Sequence, residues 1–211
     1  MAVTPVELGA RRDPASTAAV IDASDLTRAQ FLMWLGQQLD PHVPLYNMIQ
    51  TFRIAGSVQP TAFAEAWNSV VARSDALRTT VVVVDGVPMR RIADAPNGDP
   101  EIVDLRRADD PEASASEWVE NRKTVAFDLG QRLWDSALLM VDDDVAIWYL
   151  SVHHLVTDAQ SFSVMYRAVN RCYALACGGR LDEAPALHQY AVYVDHERAR
   201  QATDAWERDV D

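Results

Sequence analysis

The segment from Leu133 to Gly179 constrains the fold more than any other part of the chain. Two apolar-rich runs, Leu133–Val141 and Val145–His153, flank Asp142-Asp143-Asp144 and predict a hairpin. A helical pattern follows from Asp158 to Ala176 and stops at Gly178-Gly179, a good C-terminal signal because glycine tolerates the left-handed backbone that ends helices. A hairpin that runs through a tight turn into a long helix excludes all-α and all-β architectures.

The rest of the chain agrees. Leu26, Ala29, Met33 and Trp34 form a helical stripe and predict a helix over Thr27–Leu39, ended by Pro41 and Pro44. Met48–Ile54 alternates apolar and polar residues and reads as a strand. Pro60 opens a second helix that runs to Ser74, with Phe63, Ala66, Trp67, Val70 and Val71 on its apolar face. Thr79–Val84 and Val87–Ile92 form a second predicted hairpin across Asp85-Gly86, a favoured turn pair. A strand at Glu101–Leu105, a helix at Pro111–Thr124 and a helical tail beyond Pro185 complete the pattern. Mixed helices and hairpins, without regular βαβ repetition, point to an α+β sandwich with a mixed or antiparallel sheet packed by helices. Residues 1–25 are small, polar and proline-containing, and read as a flexible lead-in or docking segment.

Charge and cysteine usage narrow the function. A formal net charge of −12 argues against recognition of nucleic acid or of an anionic membrane surface. Arg90-Arg91 and Arg106-Arg107 read as solvated surface pairs. Cys172 and Cys177, five residues apart on one helix, point in separate directions and read as core thiols rather than a disulfide or metal pair. No zinc-type ligand spacing occurs, so no metal is expected. Residues 1–25 lack the apolar core of a signal peptide and no apolar run spans a bilayer, so the expected location is cytoplasmic.

The chemistry-bearing segment is Ser151-Val-His-His-Leu-Val-Thr-Asp-Ala-Gln-Ser161. Strand alternation sends His153 and His154 to opposite faces. Thr157-x-x-Gln160 fits a capping box for the long helix, with Asp158 in its first turn. His153, His154 and Asp158 together resemble the HHxxxDG motif of the condensation-type acyltransferases of nonribosomal peptide synthesis. Further segments resemble that family in order. Leu26-Thr-Arg-Ala-Gln-Phe-Leu-Met-Trp34 is similar to its opening helix, and Pro44-Leu-Tyr-Asn-Met48 to its entry into the first strand. Arg73-Ser-Asp-Ala-Leu-Arg-Thr79 resembles its RHExLRT segment, with Ser74 and Asp75 in place of His-Glu. Phe127-Asp-Leu129 and, more loosely, Tyr190-Ala-Val-Tyr-Val-Asp195 follow, so the resemblance spans about residues 26–208.

The resemblance implies a chloramphenicol-acetyltransferase-like two-layer sandwich, with residues 26–211 as the N-terminal lobe of a domain whose C-terminal lobe is absent. It implies attack of an amine on a thioester, both substrates arriving on the phosphopantetheine arms of donor and acceptor carrier proteins. No cofactor bound by the domain itself is expected. His154 would be the reacting histidine, as a base or as a hydrogen-bonding group. His153 would be structural, and Asp158 would orient the turn through an ion pair with Arg78. Other expected partners are the missing lobe, downstream synthetase domains and a second copy of the lobe through its exposed face. With Met1 about 25 residues before the first motif, the chain is expected to open its polypeptide as a starter or chain-receiving domain. By itself the lobe is expected to be inactive. Two alternatives share the histidine logic: an O-acyltransferase of polyketide assembly that makes an ester, and an idle carrier-docking module. The family's glycine after the aspartate is Ala159 here, a departure that bears on activity if that position needs positive φ.

Overall fold

A computed structural model describes residue 20 and residues 23–201; most of the predicted lead-in lies outside the described residues. The elements are α1 (Arg28–Leu39), β1 (Asn47–Ala55), α2 (Pro60–Arg73), α3 (Asp75–Arg78), β2 (Thr79–Val84), β3 (Val87–Ile92), β4 (Glu101–Asp104), α4 (Pro111–Arg122), β5 (Trp134–Asp142), β6 (Val145–His153), α5 (Ala159–Cys177) and α6 (Tyr190–Gln201), with a 3₁₀ turn at Leu181–Glu183 before α6. The α+β class is as expected.

Four strands form one sheet in the order β1-β6-β5-β4, and β2 and β3 pair as a separate hairpin. β6 lies inside the sheet, antiparallel to both neighbours, with Asn47 opposite His153 on one side and Trp134 opposite Val152 on the other. β4 is parallel to β5, so α4 makes one βαβ crossover within an otherwise antiparallel arrangement. The β2–β3 turn places Asp85 at φ 51° and Gly86 at φ 80°, the two positive values that match the twist of adjoining strands.

Alternation along β6 splits its side chains between two cores. Ala146, Trp148, Leu150 and Val152 face the main core under α2 and α5. Ile147 and Tyr149 face a smaller core that α4 closes with Ala115 and Trp118. In the main core the Trp67 ring meets Trp134 at 5.1 Å and Trp148 at 6.0 Å, both edge-to-face. Trp148 Nε1–H donates to Ser136 Oγ at 3.0 Å, which satisfies one buried indole. Truncating a ring buried this completely costs about 3–5 kcal/mol. Helix α5 buries Phe162, Met165, Val169 and Cys172, a helical stripe toward the sheet.

At the end of α5, Arg180 N–H donates to Leu175 O at 2.8 Å and Gly179 N–H to Ala176 O at 3.0 Å. Gly179 sits at φ 65°, the left-handed residue of this cap. Both cysteines are free, but only Cys172 is buried; the reading of Cys177 as a core thiol is corrected, because it falls off the buried stripe and is exposed.

Residues next to the undescribed ones are tied in. Ser24 Oγ donates to Pro88 O, and Asp25 accepts from Arg90 N–H at 2.6 Å. Arg198 of α6 donates to the carbonyls of Ser24 and Leu26. Among the described residues no helix is long and apolar enough to cross a membrane.

Candidate active site

The site forms where the central strand ends. His153 closes β6 with no exposed surface. Its ring lies 5.7 Å from the ring of Tyr46 and 6.2 Å from that of Phe127. Nδ1 accepts the Leu155 N–H at 3.1 Å, so the neutral ring carries its proton on Nε2. Nε2 is buried without a hydrogen-bond partner among the described residues. Burial, with a smaller contribution from His154, pushes the pKa down to about 4.

The next residue has a different environment. His154 is half-buried, and its N–H donates to Tyr46 O at 2.8 Å. Its Nδ1 lies 2.8 Å from Thr157 O. A carbonyl oxygen only accepts, so Nδ1 carries the hydrogen and Nε2 holds the lone pair of the neutral ring. Nε2 has no hydrogen bond among the described residues. The expectation that both histidines close the strand is corrected: β6 ends at His153 and His154 lies in the following turn, so the turn rather than strand alternation leaves one core imidazole and one available imidazole.

Tyr46 reaches this turn because α1 offers a glycine. A Cβ on Gly36 would lie 2.2 Å from the Tyr46 hydroxyl oxygen, so no larger residue fits with the ring in place.

Asp158 caps α5. Its backbone is extended at φ −137° and ψ −178°, and its carboxylate accepts from Ser161 N–H at 2.8 Å and Ser161 Oγ at 2.6 Å. Ser161 Oγ in turn accepts the Asp158 N–H at 3.2 Å. These bonds from Ser161 hold the carboxyl below its usual range. The expected Thr157–Gln160 capping box is thus displaced by one residue. The expected ion pair with Arg78 is not formed: Arg78 donates to Ala93 O, while the Asp158 carboxylate is held by Ser161.

Ala159 is the first residue of α5, exposed and without positive φ. Alanine is therefore compatible with the backbone at this position. Ala159→Gly is expected to lower stability by up to about 1 kcal/mol without raising turnover. A thermal melt and an initial-rate comparison check this, and a large gain in rate would show that the alanine methyl obstructs the site.

Two residues outside the motif brace this region. Gln30 in α1 is buried and uses all its polar groups: Oε1 accepts Thr27 N–H at 3.0 Å, and Nε2 donates to Leu155 O at 3.0 Å and Tyr190 Oη at 3.2 Å. The buried Asp75 carboxylate accepts Tyr190 N–H at 2.6 Å and Ala191 N–H at 2.7 Å, capping α6 from a distant part of the chain. Burial raises the Tyr190 hydroxyl to about 12 and keeps it protonated. Gln30 and Asp75 both lie in segments that carried the family resemblance, but only the fold shows what they touch.

Comparison with known proteins agrees with this geometry. The family model described as "Condensation domain" matches residues 20–211. The isonitrile lipopeptide synthase of Streptomyces coeruleorubidus is 32% identical over 199 residues, covering 92% of this chain and 13% of that protein. The dimodular nonribosomal peptide synthase of Bacillus subtilis is 26% identical over 185 residues, covering 87% of this chain and 8% of that protein. Among solved structures, the starter condensation domain of rhizomide synthetase superposes with a TM-score of 0.78 at 28% identity, covering 84% of this chain and 44% of that one. The first condensation domain of the calcium-dependent antibiotic synthetase, in complex with a substrate analogue, gives 0.79 at 28% identity, with 87% and 45% covered. The chain thus spans less than half the length of the solved domains it resembles and a smaller share of the synthases. With the ordered motifs and the two-histidine strand end, these matches establish that the chain belongs to the condensation-domain family of nonribosomal peptide synthetases.

Proposed function

We propose that this chain supplies the histidine-bearing lobe of an amide-forming acyltransferase. The observation that carries the reading is the fixed tautomer of His154, with Nδ1–H on Thr157 O and Nε2 left with its lone pair on a half-buried ring. A thioester is already activated and needs no covalent enzyme nucleophile. The acceptor amine must be neutral and placed against the carbonyl carbon, and such placement lowers the barrier by several kcal/mol. Nε2 accepts the hydrogen bond of the amine N–H and takes its proton as the carbon–nitrogen bond forms. Collapse of the tetrahedral species breaks the carbon–sulfur bond, and the departing thiolate takes the proton back from Nε2, so the donor arm leaves as a thiol and His154 returns to its neutral form.

The donor and acceptor are acyl and aminoacyl groups on the phosphopantetheine arms of carrier proteins, in the cytoplasm. The other wall of the site belongs to the part of the domain that this chain does not match in its solved relatives. Similarity to a starter condensation domain supports an acyl donor rather than a peptidyl one. His153, Asp158 and Arg78 act as supports: His153 within the core, Asp158 through the helix cap, and Arg78 by holding the β3 end at Ala93.

Mass spectrometry of the product from an acyl-loaded and an aminoacyl-loaded carrier protein tests this reading, in the full-length protein and its His154→Ala variant. Amide that depends on His154 supports it. An ester from a hydroxyl acceptor with no amide would transfer the site to O-acylation. Carrier binding without turnover would make the chain a docking module.

A further inference from the structure

We infer that Gln30 is a positioning residue for His154, acting through the carbonyl of Leu155; this rests on the reading of His154 as the reacting histidine. The turn after β6 is closed by Val156 N–H donating to His153 O at 3.1 Å, and Leu155 and Val156 are buried in the main core. His154 is held at its N–H by Tyr46 O and at Nδ1 by Thr157 O, so the ring is as well placed as the backbone from Leu155 to Thr157. Leu155 is the first residue of that backbone. Its N–H is held by His153 Nδ1 and its carbonyl by Gln30 Nε2 at 3.0 Å, a contact between residues 125 apart in the sequence.

The amide of Gln30 has one orientation available to it. Oε1 accepts Thr27 N–H, so Nε2 must face Leu155 O and Tyr190 Oη. Both neighbours fix it from opposite sides: the backbone N–H of Thr27 holds Oε1, and Asp75 holds the first turn of α6 that carries Tyr190. A buried amide with every group paired is a rigid strut, and a small shift at its end moves the imidazole from its working position.

Glutamate separates this role from the helix cap. Gln30→Glu keeps an oxygen for Thr27 N–H but, when ionised, presents only an acceptor to Leu155 O, so its spectrum is read above the pH at which the carboxyl titrates. The ¹⁵N spectrum of histidine-labelled protein reads the ring directly, because protonated and lone-pair nitrogens resonate apart. In the unaltered chain His154 is expected to show a single tautomer with hydrogen on Nδ1. In Gln30→Glu the two tautomers are expected to mix, and in the synthesis assay kcat should fall by about 10- to 100-fold with KM within about twofold. Thr27→Ala, which removes only the cap, should leave the His154 signals in place. Gln30→Met, of similar volume and without an amide, gives the same reading if the charged variant does not fold. A His154 spectrum unchanged in both Gln30 variants would overturn the inference. Failure of the unaltered protein to make amide would count against the proposed reaction alone, since the spectrum decides the role of Gln30 without turnover.

Discussion

Replacing His154 by alanine is expected to reduce kcat for amide formation by about 10²- to 10⁴-fold, the range for loss of a positioned proton acceptor. Stability should change by no more than about 1 kcal/mol. The ring is half-buried, and its loss removes one hydrogen bond to Thr157 O without opening a cavity in the aromatic core. Rates measured beside thermal melts check both parts. A variant that keeps its rate removes His154 from the chemistry, and one that loses its fold makes the residue structural. His153 offers the contrast, because the same ring type one residue earlier has no exposed surface.

That contrast gives the second large effect, a loss of stability in mild acid. His153 has a pKa of about 4 in the fold against 6.5 for a free histidine. Between these values the unfolded chain binds a proton that the folded chain does not. The stabilisation is therefore complete above the unfolded value, falls as pH drops toward 4 and levels off below it. The difference corresponds to about 3 kcal/mol. His153→Asn can retain an acceptor for Leu155 N–H and removes the titrating ring. It should cost stability at neutral pH yet flatten this part of the acid slope. Urea unfolding at several pH values between 7 and 4, for both proteins, isolates the histidine from carboxylates such as Asp158. Parallel slopes would mean that His153 is solvated or partnered more fully than its surroundings indicate.

Much of the fold was legible because local chemistry and tertiary packing agree. Thr79–Val84, Val87–Ile92 and Val145–His153 have the predicted limits, since dense β-forming runs meet residues suited to turns. The cap of α5 was less legible. Thr157 and Asp158 are both good capping residues, with Gln160 and Ser161 as overlapping partners, and only the extended backbone at Asp158 selects the second frame. Pairing of Asp158 with Arg78 was an expectation from the family pattern. In this chain Ser161 holds the aspartate and Ala93 O takes the arginine. The contacts of Gln30 with Leu155 and of Asp75 with α6 join segments more than a hundred residues apart, beyond the reach of local periodicity.

The sheet order also bears on how the chain reaches this structure. β5 and β6 are joined by a short turn, so they can pair on a microsecond scale. β1 must close a loop of about ninety residues before its first contact with β6. We therefore expect the hairpin to belong to the folding nucleus and β1 to dock after the rate-limiting step. Conservative truncations in β1 should then accelerate unfolding, whereas those in β5 or β6 should slow folding, and the two arms of a denaturant-dependent rate profile separate these cases. The strand end that carries His153 would be half assembled early, and its Asn47 edge would be the last part to close and the first to open.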